Sequence, residues 1–150
     1  MSNVERLHRI SHDELAEIDR FCEDGGLPRT DWLPVDDVTV YVMRDTGGGL
    51  EATAKLERHG QRLFIEDLVV RSDLRGKGRG TDIVGAIVDD IRSSRSGPVW
   101  AMAKAVELFK GMGFEKDENK ELLSEILVFC RKCGDYGKTC HPELLRLDLH

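Results

Sequence analysis

The sequence predicts a single domain of mixed α/β class, and two observations lead to this prediction. Segments with the two-residue alternation of strands are interspersed along the chain with segments that have the period of amphipathic helices. The length of 150 residues suits one domain, and no internal repeat, low-complexity tract or linker divides it. We therefore treat residues 1–150 as one domain.

The N-terminal part of the chain predicts a short strand followed by a capped helix. Apolar residues between 4 and 10 indicate the strand. Ser11 and Glu14 have the spacing of a capping box, and the apolar stripe behind them predicts a helix that ends near Gly25. Residues 27–34 are expected to form a loop.

The middle of the chain predicts three strands. Residues 38–43 and 50–57 alternate between two distinct faces, and the second of these segments has one wet face. Residues 63–70 are almost continuously apolar, which is typical of a buried central strand. Glu66 and Asp67 interrupt this run, and because burying a charge is costly, two carboxylates in such a strand need a reason.

The remaining elements alternate again between helix and strand. After a glycine-rich loop, an apolar stripe over residues 83–91 predicts a helix, and residues 98–103 predict a short strand. A further stripe predicts a helix over 105–112. Residues 122–129 and 144–149 are predicted as the last two strands.

The charge balance and hydropathy of the chain exclude several classes of protein. Lys plus Arg number 22 against 28 Asp plus Glu, so the net charge is −6, and an acidic chain is a poor ligand for nucleic acid or an anionic membrane. No apolar stretch approaches the ~20 residues that a spanning helix needs. No apolar signal-peptide core follows the N-terminus. We expect a cytoplasmic protein with no nucleic-acid or membrane partner.

The loop over residues 75–81 has the chemistry of a pyrophosphate receptor. It lies between the predicted buried strand and an amphipathic helix, whose first amides lack internal partners. Glycines let the backbone approach an anion closely, and successive amides can form an anion-binding nest. Arg75, Lys77 and Arg79 add positive charge.

Two familiar phosphate-loop motifs do not fit this loop. A Walker A motif needs Ser or Thr after its lysine, but Gly78 follows Lys77. A dinucleotide fingerprint needs a third glycine where Thr81 stands. What remains, Arg75-x-x-Gly78-x-Gly80, resembles the Gln/Arg-x-x-Gly-x-Gly/Ala cofactor motif of the GNAT acetyltransferases.

A second segment strengthens the resemblance to the GNAT superfamily. Residues 105–114 form a predicted helix that runs into Gly113-Phe114, which is similar to the second motif of that superfamily. The resemblance extends over residues 38–114. It implies the GNAT fold, which is a mixed, mostly antiparallel sheet of about six to seven strands, splayed at the central strand and flanked by three to four helices.

The resemblance also implies where acetyl-CoA binds. The loop amides would hold the pyrophosphate, and the end of the buried strand would run alongside the pantetheine, where amides exposed by the splay receive the thioester oxygen. The residues so assigned are Leu68, Val69, Val70, Arg75, Gly76, Lys77, Gly78, Arg79, Gly80 and Thr81.

Glu66 is the expected general base. GNAT enzymes often have an acidic residue on this strand, and simple alternation places Glu66 on one strand face with Leu68 and Val70. Asp67, expected on the opposite face, is the second candidate. The alternative is that Glu66 is a structural carboxylate paired with an arginine or with backbone amides.

The general acid of the family has no counterpart in this sequence. The family often has Tyr five residues before the Phe of the Gly-Phe pair, where this chain has Phe109. The thiol of coenzyme A has a pKa not far above the ~8.5 of free cysteine, so water or the substrate ammonium can supply the proton. We therefore assign no catalytic acid.

A cysteine cluster near the C-terminus predicts a metal site in a hairpin at about residues 130–141. Cys130 and Cys133 have the spacing of two zinc ligands, Cys140 can provide a third, and the fourth is left open between His141 and the distant Cys22. A structural zinc ion fits sulfur ligands. The alternative is that these are structural thiols without metal. This tail loosely resembles that of short N-acetylglutamate synthase-type amino-acid acetyltransferases.

Together these features predict an N-acetyltransferase. The expected reaction moves an acetyl group from acetyl-CoA to a primary amine by direct attack, and the acceptor is a small molecule such as an amino acid, or a protein amine. The alternatives are a non-catalytic acyl-CoA-binding module and a metal- or redox-sensing interaction module. Family resemblance also suggests a homodimer.

Overall fold

A seven-stranded mixed sheet with helices on its faces forms the described part of the protein. The computed structural model describes residues 3–26, 37–94, 97–103, 105–124 and 143–149. The strands are β1 (Val4–Leu7), β2 (Asp37–Arg44), β3 (Leu50–His59), β4 (Arg62–Val70), β5 (Gly97–Ala103), β6 (Glu115–Lys116) and β7 (Glu143–Leu149). The helices are α1 (His12–Asp24), α2 (Arg79–Ser94), α3 (Val106–Gly111) and α4 (120–124), with a single 3₁₀ turn at Ser72–Leu74.

The strand order in the sheet is β1-β2-β3-β4-β5-β7-β6. Only β4 and β5 pair in parallel, whereas every other neighbouring pair is antiparallel. The parallel pair is connected by α2, as a crossover between parallel strands requires. This arrangement confirms the predicted mixed, mostly antiparallel sheet.

The sheet opens between its two central strands. β4 pairs with β3 from its first residue to Val70, but its pairing with β5 ends where Ile65 lies opposite Ala101. The second half of β4 therefore presents one backbone edge that β5 does not cover. The predicted splay at the central strand is confirmed.

A β-bulge interrupts β4 at the same place. Val69 lies opposite Thr53 and Glu66 lies opposite Lys55, so two residues of β4 stand against one residue of β3. Asp67 has a φ of 52° and is the only non-glycine residue with positive φ in the described ranges. A bulge of this kind shifts the alternation of side chains along the strand that contains it.

The two faces of the sheet pack against different helices. The buried face of α2, with Ile83 and Ile87 at its centre, and Phe109 of α3 cover one face. The helix α1 covers part of the other face, where Ile18 and Cys22 pack on strand residues. We call these the α2 face and the α1 face. Among the described residues no helix is long and apolar enough to cross a membrane.

The signals at the start of the first helix are confirmed. The Ser11 side chain accepts the Glu14 amide at 3.1 Å, and the Glu14 side chain reaches back to Ser11, so the capping box is complete. The helix ends at Asp24, before Gly25, as the sequence predicts.

The strand predicted over residues 122–129 is wrong for its described part. Residues 120–124 are helical, and residues 125–129 lie outside the described ranges. Asn119 explains the helix, because its side-chain oxygen accepts the Leu122 amide at 3.1 Å, which is an N-cap interaction. Leu122 is buried against Phe64 and Trp100 on the α1 face. In the sequence this apolar residue contributed to a strand pattern, but in the structure it packs on the sheet from a helix.

Gly25 allows α1 to approach β4 closely. A Cβ atom at this position would overlap the Cγ1 atom of Val69, a stiff β-branched side chain that is buried. Gly25→Ala should therefore destabilise the fold by about 1–3 kcal/mol, the usual range for overpacking. Urea unfolding measures the change. Gly47→Ala is the matched control, since its Cβ would meet only ordinary contact at 3.5 Å. Equal stability of both variants would contradict the predicted contact.

Candidate active site

The glycine loop connects β4 to α2 in the shape that anion binding needs. Gly76 and Gly78 have φ values of 77° and 86°, in the left-handed region that favours glycine. The Asp82 amide donates to the Gly78 carbonyl at 2.9 Å, and this is the first hydrogen bond of α2 to the loop. The amides before Asp82 in this turn have no intrahelical acceptor and are the donors that a phosphate would use.

The glycines of the loop have two different roles. Cβ atoms at Gly76 or Gly78 would meet no heavy atom within 4 Å, so the space above these residues is open to a ligand. A Cβ at Gly80 would lie 2.6 Å from Leu108 Cδ1, so this glycine allows close packing of α2 on α3, and a larger residue would make Leu108 shift. The open side of the loop fits the pyrophosphate of a coenzyme.

The basic residues of the loop also differ in role. The Arg79 Nε atom lies 3.1 Å from Glu51 Oε2 of β3, and this pair fixes the start of α2 to the sheet. Arg75 and Lys77 are exposed, and neither forms an ion pair with a carboxylate of the described residues. We infer that Arg75 and Lys77 provide most of the positive charge that is available to a ligand. The sequence alone does not distinguish these two residues from Arg79.

A second set of contacts fixes the other end of the loop. Arg71 lies directly after β4, and its guanidinium donates to Asp45 Oδ2 at 2.9 Å and to Asp73 Oδ1 at 2.7 Å. Its amide donates to the Glu51 carbonyl at 2.8 Å. Asp45 in turn accepts the amides of the β2–β3 turn, so that turn supports the loop.

The bulge separates Glu66 from the residues with which alternation grouped it. Leu68 and Val70 pack on the α2 face and lie 3.9 and 3.7 Å from the Cβ position of Gly80. Glu66 lies opposite Lys55 and shares the α1 face with Phe64. The expectation that Glu66, Leu68 and Val70 share one strand face is therefore wrong, because the extra residue in β4 reverses the alternation.

Asp67 also differs from its expected position. Its carboxylate lies 3.1 Å from Lys55 Nζ, on the same face as Glu66 rather than the opposite one. The positive φ of Asp67 turns its side chain toward β3. Asp67 is thus held in an ion pair, whereas Glu66 is not.

Glu66 is buried without a partner in the described structure. Its side chain is 5% exposed, and no arginine, lysine or amide of the described ranges forms a hydrogen bond or ion pair with its carboxyl group. Burial raises its pKa well above the ordinary value, and the nearby Glu57 and Asp67 add to the shift. The structural alternative, a carboxylate paired with arginine or amides, has no such pair among these residues.

Two further residues on the α1 face were not selected from the sequence. Glu57 Oε2 lies 3.1 Å from His59 Nε2, and both side chains are nearly buried. Burial raises the pKa of Glu57, while the hydrogen bond with His59 opposes the shift. The alternation of β3 placed Glu57 on a strand face expected to be wet, and only the packing of the sheet shows that this part of the face is covered.

Among the described residues, no tyrosine lies near the expected general-acid position. Phe109 is 3% exposed and packs edge-to-face on Phe114, with ring centroids 5.2 Å apart in the α2-face core. Tyr41 donates its hydroxyl to Asp90 Oδ2 at 2.8 Å, which links β2 to α2. Tyr136 lies outside the described residues.

The predicted metal site lies outside the described residues. Cys130, Cys133, Cys140 and His141 all belong to the range 125–142, which the structure does not describe. Within the described ranges, no group of three or more His, Cys, Asp or Glu side chains could hold a metal ion. Cys22 is buried, and its Sγ atom lies 3.6 Å from Thr53 Oγ1.

The sequence matches a known family over most of the described site. A sequence model of the Acetyltransferase (GNAT) family matches residues 7–114, which include the glycine loop, Glu66 and Phe114. The chain therefore belongs to the GNAT acetyltransferase family, whose members use acetyl-CoA as co-substrate. No curated protein matches the sequence.

Solved structures share the fold. ElaA from Escherichia coli has a TM-score of 0.69 at 16% identity, and the match covers 95% of this chain and 97% of ElaA. Rv2747 from Mycobacterium tuberculosis, solved in complex with CoA, has a TM-score of 0.68 at 16% identity, with coverage of 98% and 99%. N-acetylglutamate synthase from Neisseria gonorrhoeae, solved with coenzyme A and L-arginine, has a TM-score of 0.65 at 18% identity. That match covers 100% of this chain but 34% of the synthase.

The open loop predicts that Gly78→Glu will weaken coenzyme binding. The substitution places a side chain with a negative charge where the phosphates would lie, and the dissociation constant for CoA should rise at least about tenfold, which is about 1.4 kcal/mol. Titration calorimetry measures it. Gly48→Glu is the matched control, because Gly48 has a similar φ of 88° and equally open space. Weakening of the same size in both variants would contradict the loop as the binding site.

The buried Glu66 predicts a pH-dependent stability change. Because its folded pKa is raised above the ordinary 4.5, the folded state holds this proton more tightly than the unfolded state. This contribution to stability is complete below that value and is lost as the pH rises towards the folded pKa. Glu66→Gln should therefore gain stability relative to wild type as the pH rises from the ordinary 4.5 towards the folded pKa.

Urea unfolding of both proteins across this range measures the difference, and Glu107→Gln on the exposed side of α3 controls for removing a carboxylate elsewhere. A stability difference for Glu66→Gln that does not change with pH would contradict the buried, unpartnered position of Glu66.

Proposed function

We propose that Glu66 is the general base for acetyl transfer from acetyl-CoA to a primary amine that approaches on the α1 face. The single observation that carries this proposal is the opening of the sheet after Ile65, where β5 leaves uncovered the part of β4 that runs from the buried Glu66 towards the glycine loop. The coenzyme would reach this opening from the loop side, and the amine from the side of Glu66.

The binding of the coenzyme rests on backbone groups. The residues expected to bind acetyl-CoA are those of the second half of β4, Leu68 to Val70, and those of the loop, Arg75 to Thr81. The first group borders the edge that β5 leaves uncovered, where strand amides and carbonyls are available to the pantetheine and the thioester oxygen. The second group presents the free amides of the turn and the start of α2.

The chemistry follows from the burial of Glu66. The acceptor arrives as an ammonium ion, and the Glu66 carboxylate accepts one of its protons. The neutral nitrogen attacks the thioester carbonyl carbon and forms the C–N bond. The C–S bond then breaks, and the CoA thiolate leaves and takes up the proton that the nitrogen releases. A carboxyl group with a raised pKa is a better base for this step than an exposed one.

Asp67 is a weaker candidate for the base. Its ion pair with Lys55 at 3.1 Å holds its side chain in place, whereas Glu66 has no such contact in the described ranges. Asp67 is instead one of the two residues of β4 that form the bulge, and its ion pair with Lys55 links the bulge to β3.

A second candidate function is a non-catalytic acyl-CoA-binding module. Phe109 favours it, because this buried ring cannot protonate a leaving thiolate. Glu66 argues against it, since burying a carboxyl group that has no partner among the described residues is unfavourable unless the group has a function. The variant Glu66→Gln distinguishes the two functions.

The sequence also predicts a metal site outside the described ranges, a homodimer and a cytoplasmic location. Zinc at Cys130, Cys133 and Cys140, with His141 as a candidate fourth ligand, stays a prediction that metal analysis of the purified protein can test. A role of this cluster in metal or redox sensing depends on the same result. The homodimer and the cytoplasmic location also stay predictions.

Glu66→Gln should lower kcat by about 10²–10⁴-fold, the contribution of a positioned general base. Its affinity for acetyl-CoA should be retained, because Glu66 lies on the face opposite Leu68 and Val70. In the wild type, kcat/KM should fall as the pH drops below the raised pKa of Glu66, and the variant should lack this limb. Acetyl transfer to an amine panel, with calorimetry for acetyl-CoA, provides the measurements.

The exposed Glu107→Gln is again the control for the loss of a carboxylate. Full turnover in Glu66→Gln would eliminate Glu66 as the base. Tight acetyl-CoA binding without turnover of any amine by the wild type would favour the binding module.

A further inference from the structure

Glu51 of β3 contacts both ends of the segment that contains the glycine loop. Its backbone carbonyl accepts the amide of Arg71, the residue directly after β4, at 2.8 Å. Its side-chain Oε2 atom lies 3.1 Å from the Nε atom of Arg79, the first residue of α2. Residues 72–78 lie between these two contacts. One residue of β3 therefore fixes both boundaries of the loop.

The contact with Arg79 is shielded from water on the side of the carboxylate. The Glu51 side chain is 14% exposed and the Arg79 side chain 31%. Ion pairs between fully exposed side chains contribute little, because water and salt screen them, whereas partly buried pairs are screened less. The next residue, Gly80, packs closely on Leu108 of α3. The start of α2, with its free amides, is thus held from the sheet and from α3.

The charge of Glu51 has the wrong sign for a ligand of the phosphates. A carboxylate beside an anion-binding loop repels the anion and competes with it for the guanidinium of Arg79. If attraction of phosphate were the only requirement, a neutral residue would serve better here. A fixed loop binds more tightly than a mobile one, because less ordering is left for the ligand to bring about. Fixing the loop accounts for an acid at this position.

We propose that Glu51 is a positioning residue for the coenzyme, which it does not touch: it holds the start of α2 so that the free amides there meet the pyrophosphate. This inference rests on the proposed function and adds a residue outside the two segments expected to bind acetyl-CoA. The Arg79 side chain acts as the partner of Glu51, whereas the Arg79 amide stays available to the phosphates.

Substitution of Glu51 tests the proposal through the sign of its effect. Glu51→Ala should raise the dissociation constant for CoA about fivefold, the size expected for one partly buried ion pair. Glu51→Gln keeps an oxygen acceptor on a side chain of the same length, so its dissociation constant should lie between those of the wild type and Glu51→Ala. Titration calorimetry measures both. Tighter binding by Glu51→Gln or Glu51→Ala than by the wild type would show that repulsion dominates and would overturn the proposal.

A double-mutant cycle separates positioning from direct binding by Arg79. Arg79→Ala should weaken CoA binding by a factor similar to that of Glu51→Ala, and the double variant should be no weaker than either, because all three lack the same contact. Arg75→Ala should add its full effect to that of Glu51→Ala, since the pair with Glu51 does not hold this charge. Full additivity of Glu51→Ala and Arg79→Ala would mean that Arg79 binds phosphate by itself, and the proposal would be wrong.

Asp90→Ala is the matched control for a loss of stability. Asp90 lies in the later part of α2 and accepts hydrogen bonds from Arg6 of β1 and Tyr41 of β2, so it also attaches α2 to the sheet, but far along the helix from the loop. This variant should unfold at lower urea concentration than the wild type and bind CoA equally well. Equal weakening of CoA binding by Asp90→Ala and Glu51→Ala would assign the effect to helix packing in general and would contradict a specific role for Glu51.

Gly78→Glu separates failure of this inference from failure of the proposed function. If Gly78→Glu weakens CoA binding while Glu51→Ala binds CoA as the wild type does, the loop stays the coenzyme site and only the role of Glu51 is overturned. If Gly78→Glu binds CoA as tightly as the wild type, the loop is not the coenzyme site, and the proposed function and this inference are both overturned.

Discussion

The extra residue in β4 is the constraint on which the candidate active site depends. Because Asp67 and Leu68 together oppose one residue of β3, the strand changes face in its middle. The first half places Glu66 on the α1 face, and the second half directs Leu68 and Val70 towards the start of α2. A regular strand would place the base and these residues on the same face. The bulge therefore lets one strand present an acid on the α1 face and apolar residues on the α2 face.

The glycine loop depends on the same strand and on supports from β3. Arg71 and Arg79 lie at the two ends of the loop, and each is held by carboxylates of the β2–β3 region, Asp45 and Glu51. These ion pairs fix where the loop begins and where α2 starts, so the free amides between them are held at the opening of the sheet. A phosphate bound there would satisfy those amides, as at other helix N-termini that bind phosphate.

Much of the fold could be predicted because its signals are local. The capping box of Ser11, the alternation of β2 and β3, the glycine loop and the stripe of α2 each depend on residues close in sequence. The predicted strand over 122–129 was wrong because a side-chain cap at Asn119 and packing of Leu122 on Trp100 favour a helix. Within the site, the motif located the loop. It did not show the different roles of the arginines in the loop, because only the fold brings Glu51 to Arg79.

By itself the sequence determined the α/β class, the position of the glycine loop and the presence of an acid in the central strand, since these follow from periodicity and from a short motif. Only the tertiary structure decided which face Glu66 occupies, because one residue with positive φ reverses an alternation that spacing alone assumes to be regular. It also decided that Glu57 lies near Glu66 and pairs with His59, since the pairing of β3 with β4 brings these residues together. Contacts between distant segments leave no local pattern, and the electrostatics of the acceptor side depend on those contacts.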